Sequence, residues 1–321
     1  MLKEKKQINP DELLPIQQEN WKRFDFAYPE GQQPDKNELR WDGFGIDLAL
    51  FPVILHLSSE IESDEEFNSY VRTVVEKYFL LSPVLSTLNT NEGLNNGNTV
   101  VILEHILRVV EGLSSDFSEI NHFNFGEDRY SQMTTKLRLA AFFHDWGKSL
   151  GPNGMTHCEI SAAMAESILR NCPLTKDNDE LIENVVWLCA HHHDYQRVAG
   201  EFFKEGRESY GQDQNLTKEE VLAKIHDYYQ DKWQKFGQKS DHQQITDLFK
   251  EDSALDWSDL TLERLILLHS LSESDVMSNP KYEKYAREND YFLKTVLEVV
   301  FQLALDNSNL EVVADSDETE V

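Results

Sequence analysis

Apolar residues recur at intervals of three and four through much of the chain, the spacing that puts them on one face of an α-helix. The first such segment starts near Glu65, carries Phe67, Val71 and Val75 on one face, and is expected to end before Pro83. Further segments of this kind follow at residues 100–112, 134–147, 156–171, 177–193, 261–275 and 291–305. The pattern predicts a core built from helices.

No run of alternating apolar and polar residues is long enough to demand a sheet, so the predicted fold class is all-α. Residues 1–98 are expected to form a partly helical N-terminal extension packed on a helical bundle at 99–305. Within the bundle, residues 194–258 are rich in Gln, Asp, Lys and Tyr and predict a helical insertion. Residues 306–321 carry six acidic side chains and no basic one, and are expected to be disordered.

Two helix starts show recognisable capping residues. Thr99 is a candidate N-cap for the segment that closes at Gly112. Thr217 and Glu220 have the spacing of a capping box at the start of a helix inside the insertion. The aromatic residues of that helix could line a partner interface, although aromatics at helical spacing more often pack on their own domain. They are Tyr228, Tyr229, Trp233 and Phe236.

The net charge of the chain limits the classes of partner that it is expected to bind. The 321 residues include 58 acidic and 30 basic ones, for a formal net charge of −28. Such a balance disfavours a broad electrostatic grip on a phosphate backbone, so no extended nucleic-acid surface is expected. A nucleic-acid partner would have to be held locally, by a metal or by a small basic patch.

Cysteine usage and hydropathy both favour a cytoplasmic protein. Cys158, Cys172 and Cys189 show no CxxC spacing and leave an odd count, so no disulfide framework is predicted. The first residues lack the apolar core of a signal peptide, and the most apolar window, 46–57, is too short to cross a bilayer. We therefore expect no membrane insertion.

Several histidines and aspartates fall on the apolar faces of the predicted helices. His105 shares a face with Ile102 and Ile106, and His157 shares one with Ile160 and Met164. The other residues at comparable inward positions are His144 with Asp145 beside it, His191 and His192 at a helix end, and Asp275.

Each residue alone has an ordinary structural explanation. A single inward histidine is more often a hydrogen-bonded core residue than a ligand. Asp145 could close a helix or pair with Lys148, and Asp275 could be an N-cap. At least one residue of the run His191–His193 is expected to face solvent.

Together, however, several imidazoles and unpaired carboxylates in one core are unfavourable unless a cation joins them. The donor types suit a divalent transition metal, namely Mn, Fe, Co, Ni or Zn, and are less suited to calcium. The sequence thus indicates a metal site.

The order of these residues, a His, a His-Asp pair and a distant Asp on helices, resembles the signature of the HD superfamily of metal-dependent phosphohydrolases. The segments "LEHILRVVE", "LRLAAFFHDWGK", "HCEISAAMAESIL" and "VVWLCAHHH" look most like the HD domain of tRNA nucleotidyltransferase-like proteins. The resemblance covers about residues 98–193 and 261–277.

The resemblance implies the role of each residue. His105, His144, Asp145 and Asp275 would bind one metal, and Asp145 could also bridge to a second. In binuclear members further histidines hold that second metal, and His157, His191 and His192 match their positions. Lys148 matches a lysine that faces substrate phosphate. Two metals are favoured over one.

The expected activity is hydrolysis of a phosphomonoester or phosphodiester, in a nucleotide or at a nucleic-acid end, by a metal-activated water. Asp145 and Lys148 are the predicted catalytic residues, and Lys148 and Arg108 would contact the phosphorylated substrate. Arg108 could equally be a solvent-exposed partner of Glu104 or Glu111. An HD-type diiron oxygenase and a non-catalytic metal-binding or nucleotide-binding module are the alternatives.

The chain departs from the nucleotidyltransferases in one respect: residues 1–98 carry no Gly-Gly turn with an acidic pair, so nucleotide addition is not expected. The remaining histidines are expected to be structural or exposed. They are His56, His122, His226, His242 and His269. Cys158 and Cys189 neighbour proposed ligands but are expected to turn to other helix faces and pack there.

Overall fold

The computed structural model describes residues 63–78, 101–113, 127–150, 155–172, 174–209, 218–236, 241–252 and 257–278, with the single positions 54, 61, 85, 88, 299, 302 and 303. Several sequence-based predictions lie outside the described residues. They are most of the N-terminal extension, the cap residues Thr99 and Thr217, most of the last predicted helix, and the acidic tail.

Eight α-helices and one short 3-10 helix make up the described regular structure. They are α1 (Asp64–Tyr78), α2 (Ile102–Gly112), α3 (Glu127–Phe143), the 3-10 helix (Trp146–Ser149), α4 (His157–Asn171), α5 (Asp179–Ser209), α6 (Lys218–Phe236), α7 (Asp241–Asp252) and α8 (Leu262–Met277). The described ranges contain no strand, which confirms the all-α prediction. None of the helices in these ranges is long and apolar enough to span a membrane.

Helix α5 lies at the centre of the packing and contacts α3, α4 and α8. Helix α2 packs against α1, α3 and α8, and the 3-10 helix lies between α2 and α4. The apolar faces predicted from the sequence meet in one core, in which Ile106, Leu137, Ala140, Val185 and Leu268 are fully buried. Burial of these faces is the main stabilising contribution to the bundle.

The start of the predicted insertion, at residue 194, does not coincide with the start of a helix. Helix α5 continues without a break past position 194 to Ser209, so the boundary falls inside a helix. Helices α6 and α7 pack on each other, and α7 packs on α8. Trp233 of α6 is buried in the core, so it is not available for the partner interface considered above.

Polar contacts fix the relative positions of the helices around the core. The buried ammonium group of Lys136 in α3 lies 2.7 Å from Glu263 of α8 and 2.9 Å from Glu180 of α5. Arg138, also on α3 and fully buried, donates to the backbone oxygen of Ile61 and to Asp64. A buried cation with carboxylate partners avoids the cost of an unpaired charge.

Candidate metal centre

Four buried residues from three parts of the fold converge at one end of the bundle, and we call them the first ligand group. They are His105 of α2, His144 and Asp145 in the turn after α3, and Asp275 near the end of α8. Nε2 of His105 lies 2.9 Å from Oδ2 of Asp145 and 3.0 Å from Oδ1 of Asp275. Nε2 of His144 lies 3.4 Å and 3.7 Å from the same two oxygens.

The other ring nitrogen of each of these histidines is held by a hydrogen bond. Nδ1 of His144 lies 2.8 Å from the backbone oxygen of Ala141, which can only accept, so Nδ1 carries the proton. The hydroxyl of Ser278 donates to the Asp275 backbone oxygen and lies 2.9 Å from Nδ1 of His105, so it accepts from that nitrogen. Both Nε2 atoms are therefore directed at the centre, as in metal sites with oriented ligands.

The buried carboxylates of the first ligand group are balanced by protonated imidazoles. Burial lowers the pKa of His105, but Asp145 and Asp275 raise it to about 9. The same opposing effects raise the pKa of His144 to about 10. Burial opposes ionisation of Asp145 and Asp275, yet their neighbours hold both pKa values well below the usual range. Two protons on the imidazoles thus balance two carboxylates, a role that a divalent metal can take over.

A second ligand group lies next to the first. It contains His157 and Cys158 in the first turn of α4, and His192 and His193 in α5, whose donor atoms all lie within 4.8 Å of one another. Nδ1 of His192 lies 2.7 Å from the backbone oxygen of Cys189, so its Nε2 also points inward. Burial lowers the pKa of His157 to about 3 and that of His193 to about 4, which favours the neutral imidazoles at neutral pH.

Asp145 lies between the two groups and presents one carboxylate oxygen to each. Oδ2 faces His105 and His144, whereas Oδ1 lies 3.5 Å from Nε2 of His157 and 3.5 Å from Nε2 of His192. Oδ1 is buried and receives no hydrogen bond. A buried carboxylate oxygen without a donor is costly, and a bound cation removes that cost.

Local structure explains how the start of α4 places His157 in the second ligand group. The Thr156 hydroxyl accepts a hydrogen bond from the backbone nitrogen of Glu159, and the Glu159 carboxylate accepts one from the backbone nitrogen of Thr156; this capping box fixes the start of the helix. The backbone nitrogen of Gly147 donates to the Ser161 hydroxyl at 2.8 Å. A side chain at Gly147 would clash with the backbone oxygen of His157. Glycine is therefore required for close packing of the turn against α4.

Serine hydroxyls hold α8 against its neighbours near the centre. Ser272 donates to the backbone oxygen of His192 at 2.8 Å, and Ser274 donates to that of Val109 in α2 at 2.6 Å. These bonds set the position of Asp275 relative to the ligands from α2 and α5. Asp275 itself lies inside α8 and is not an N-cap.

The structure places His191 outside both ligand groups, which corrects its sequence-based assignment. Its Nδ1 lies 2.8 Å from Asp194, and its ring lies 4.5 Å from that of Trp187. His193 takes its place, with its ring 4.6 Å from that of His157. The apolar face alone does not separate the two, because His193 lies four residues after Cys189 and His191 lies four after Trp187, and both of these residues are buried.

Cys158 is the second residue that the sequence-based interpretation placed incorrectly. Its sulfur lies 3.4 Å from Nε2 of His157 and 3.9 Å from Nε2 of His192. It therefore faces the centre and does not turn to another helix face. Cys189 does point away, towards the backbone oxygen of Ala140.

The two proposed substrate contacts differ in position. Nζ of Lys148 lies 2.6 Å from Oδ2 of Asp145, at the edge of the first ligand group. Arg108 pairs with Glu104 one turn earlier on α2, at 3.2 Å, and is partly exposed. Lys148 thus remains a candidate for phosphate contact, whereas Arg108 occupies the surface ion pair that the sequence offered as its alternative.

The other described histidines lie apart from the centre. Nδ1 of His269 lies 2.6 Å from the Tyr195 hydroxyl, which links α5 to α8. His226 on α6 lies 3.8 Å from Asp227. His56, His122 and the side chain of His242 lie outside the described residues.

Comparison with known protein families gives a match over part of the chain. Residues 102–232 match the family model of the HD domain. The match covers every ligand named above except Asp275, which α8 supplies from beyond it. Neither the curated proteins nor the solved structures provide a match to this chain.

Proposed function

Since residues 102–232 carry an HD domain, we propose that this chain is a binuclear, metal-dependent phosphohydrolase that cleaves a phosphate ester of a nucleotide or of a nucleic-acid end. The observation that carries the proposal is the position of Asp145 between two groups of donors, with one oxygen towards each. Such a bridging carboxylate is what two metal ions a few ångströms apart require.

The donor sets fit divalent transition metals. The first ligand group offers two imidazoles and two carboxylates, and the second offers three imidazoles and a thiol. When bound, two such ions would supply a water of lowered pKa and neutralise charge on a phosphate. The orientation of His105, His144 and His192 by their Nδ1 hydrogen bonds means that little reorganisation is needed for binding.

Exposure indicates the side from which a substrate would approach. The side chains of His144 and Asp145 are fully buried, whereas those of His157 and His193 are 25% and 38% exposed. The side chain of Lys148 is also partly exposed, at 19%. A phosphate would therefore approach past the second ligand group, with Lys148 placed to stabilise its negative charge.

The charge of the chain bears on the substrate class. A net charge of −28 opposes binding of a long polyanion, so we propose a nucleotide or a strand end held by the centre itself. Lys148 is the cation closest to the ligands in the described part of the chain. This proposal includes a cytoplasmic location, where nucleotide substrates are abundant.

The proposal is tested by measuring phosphate and nucleoside release from a panel of nucleotides and short oligonucleotides, with Mn, Fe, Co, Ni or Zn added in turn. We expect metal-dependent release that falls by at least about 100-fold in Asp145→Asn, since the bridging oxygens lose their charge. Asp194→Asn is the matched control, because this carboxylate contacts His191 outside both groups. Equal activity in wild type and Asp145→Asn would overturn the proposal.

A further inference from the structure

Cys158 differs from the other two cysteines of the chain in its surroundings. Cys172 and Cys189 belong to the hydrophobic core cluster, whereas Cys158 is buried but does not belong to it. Its sulfur lies among the nitrogen atoms of the second ligand group, 3.4 Å from His157 and 3.9 Å from His192. A small apolar packing role therefore accounts for Cys172 and Cys189 but not for Cys158.

These distances suit shared binding of one ion. A tetrahedral site with a metal–sulfur bond of ~2.3 Å and metal–nitrogen bonds of ~2.0 Å separates sulfur from nitrogen by about 3.5 Å. The two observed separations lie on either side of that value. Both are thus close to the separation of a thiolate and an imidazole that bind the same cation.

A second observation points to a cation at the same place. Oδ1 of Asp145 is fully buried, receives no hydrogen bond, and lies 3.5 Å from Nε2 of both His157 and His192. It therefore faces the same space as the sulfur of Cys158. A carboxylate oxygen in that position is stabilised by a positive charge.

We propose that Cys158 is a thiolate ligand of the second metal ion, which it holds together with His157, His192 and His193, so that the two halves of the centre differ in chemistry. This inference rests on the metal centre of the proposed function. On binding, the S–H bond breaks, a metal–sulfur bond forms, and the proton passes to solvent. The site of this second ion, which we call the second position, would then prefer zinc or cobalt, because thiolate is a soft ligand.

The first position has no soft donor, since its ligands are two imidazoles and two carboxylates. It suits the harder ions manganese and iron as well as zinc. A protein given a mixture of zinc and manganese is therefore expected to bind zinc at the second position and to accept either ion at the first. An all-histidine second group would show no such difference.

Cobalt titration of the full chain tests the inference, because a cobalt–thiolate bond produces a charge-transfer absorption in the near ultraviolet. We expect this band to appear in the wild-type protein as cobalt occupies the second position. Cys158→Ser should abolish the band and lower the affinity of that position for zinc by more than about 100-fold. Cys172→Ala, at the other end of α4, is the matched control and should keep both the absorption band and the zinc affinity.

The outcomes separate this inference from the proposed function. Two cobalt ions bound without the band, or a band that persists in Cys158→Ser, would overturn the inference and leave the hydrolase proposal standing. If the band appears but no phosphate is released, the Cys158 ligand is supported and the hydrolase proposal is overturned. If the protein does not bind cobalt, both are overturned. If Cys158→Ser does not fold, the wild-type spectrum decides together with Cys172→Ala and Cys189→Ala: a band kept in both variants belongs to Cys158, the remaining one of the three cysteines, and a band lost in either overturns the inference.

Discussion

The ammonium group of Lys148 lies 2.6 Å from Oδ2 of Asp145, three residues earlier, inside the turn that follows α3. That oxygen also faces His105 and His144. Lys148 therefore occupies a position next to the carboxylate oxygen that the first metal would bind. In the metal-loaded protein the metal would compete with Lys148 for this oxygen, which leaves the lysine available to a phosphate.

Replacement of Lys148 by methionine is expected to separate metal binding from turnover. Without the competing ammonium group, metal affinity should be unchanged or higher, whereas kcat should fall by about 100-fold because a charge facing the phosphate is lost. Isothermal titration with manganese and steady-state kinetics measure the two effects. Lys176→Met, in the loop between α4 and α5, is the control for a surface lysine. A large loss of metal affinity in Lys148→Met would contradict the assignment.

The metal-free protein should lose stability as the pH rises above neutrality. His105 and His144 have pKa values of about 9 and 10, raised from 6.5, so their contribution is fully present below pH 6.5 and is lost as the pH rises through 9 to 10. Asp145 and Asp275 have lowered pKa values, so their contribution is present above pH 3.8 and is lost on acidification.

Thermal melting in EDTA from about pH 5 to pH 10 tests this pH dependence. Tm should fall across the alkaline half of the range, and zinc added after removal of the EDTA should reduce the fall, since the metal replaces the two protons. Titration calorimetry at pH 8 in buffers of different ionisation enthalpy should also show proton release on metal binding. A Tm in EDTA that rises between pH 7 and pH 9 would contradict the proposed charge state.

The alanine variants of His193 and His191 form a matched pair two residues apart on α5. His193→Ala removes a donor of the second ligand group and should reduce the bound metal from two equivalents towards one. His191→Ala removes a ring that packs on Trp187 and pairs with Asp194, so two equivalents should remain. Metal analysis after dialysis measures both, and the reverse result would restore the assignment made from the sequence.

Gly147→Ala is expected to disturb the centre through packing. The new methyl group would clash with the backbone oxygen of His157 and lie 2.9 Å from the Cβ of Ile160, so α4 must move. We expect a loss of about 1–3 kcal/mol in the free energy of unfolding, with weaker binding at the second position. In Gly112→Ala the contact is with the Ser274 hydroxyl, away from the second ligand group, and metal binding there should be unaffected. Denaturant melts and zinc titration provide the readouts.

Much of the fold could be predicted because each core helix carries its own apolar periodicity. The faces of α2, α3 and α8 were sufficient to place His105, His144 and Asp275 towards the interior, and the structure brings them together. The inward position of Asp145 could also be predicted, because it is the residue next to His144. For this group the helix spacing contained the necessary information.

The second ligand group was harder to predict because its residues are neighbours in sequence. Consecutive residues on a helix point about 100° apart, so the choice among His191, His192 and His193 depends on how α5 is rotated against α4. The same rotation decides whether Cys158 faces the core or the centre. Burial of Cys189 and the contact of His191 with Trp187 settle that rotation, and both are tertiary contacts.

The role of Gly147 also depends on a contact distant in sequence. In the structure this glycine makes room for the start of α4. A close approach between two segments leaves no periodic signal in either. Such contacts follow from packing and cannot be deduced from local propensity.

The central claim is that Asp145 joins two metal positions, and metal stoichiometry tests it most directly. Equilibrium dialysis of the EDTA-treated full chain against zinc, with metal and protein measured on the same samples, should show two equivalents for wild type. Asp145→Asn should lose affinity at both positions, since both carboxylate oxygens lose their charge. A wild-type protein that binds one equivalent or none, or an Asp145→Asn protein that binds two with unchanged affinity, would contradict the claim.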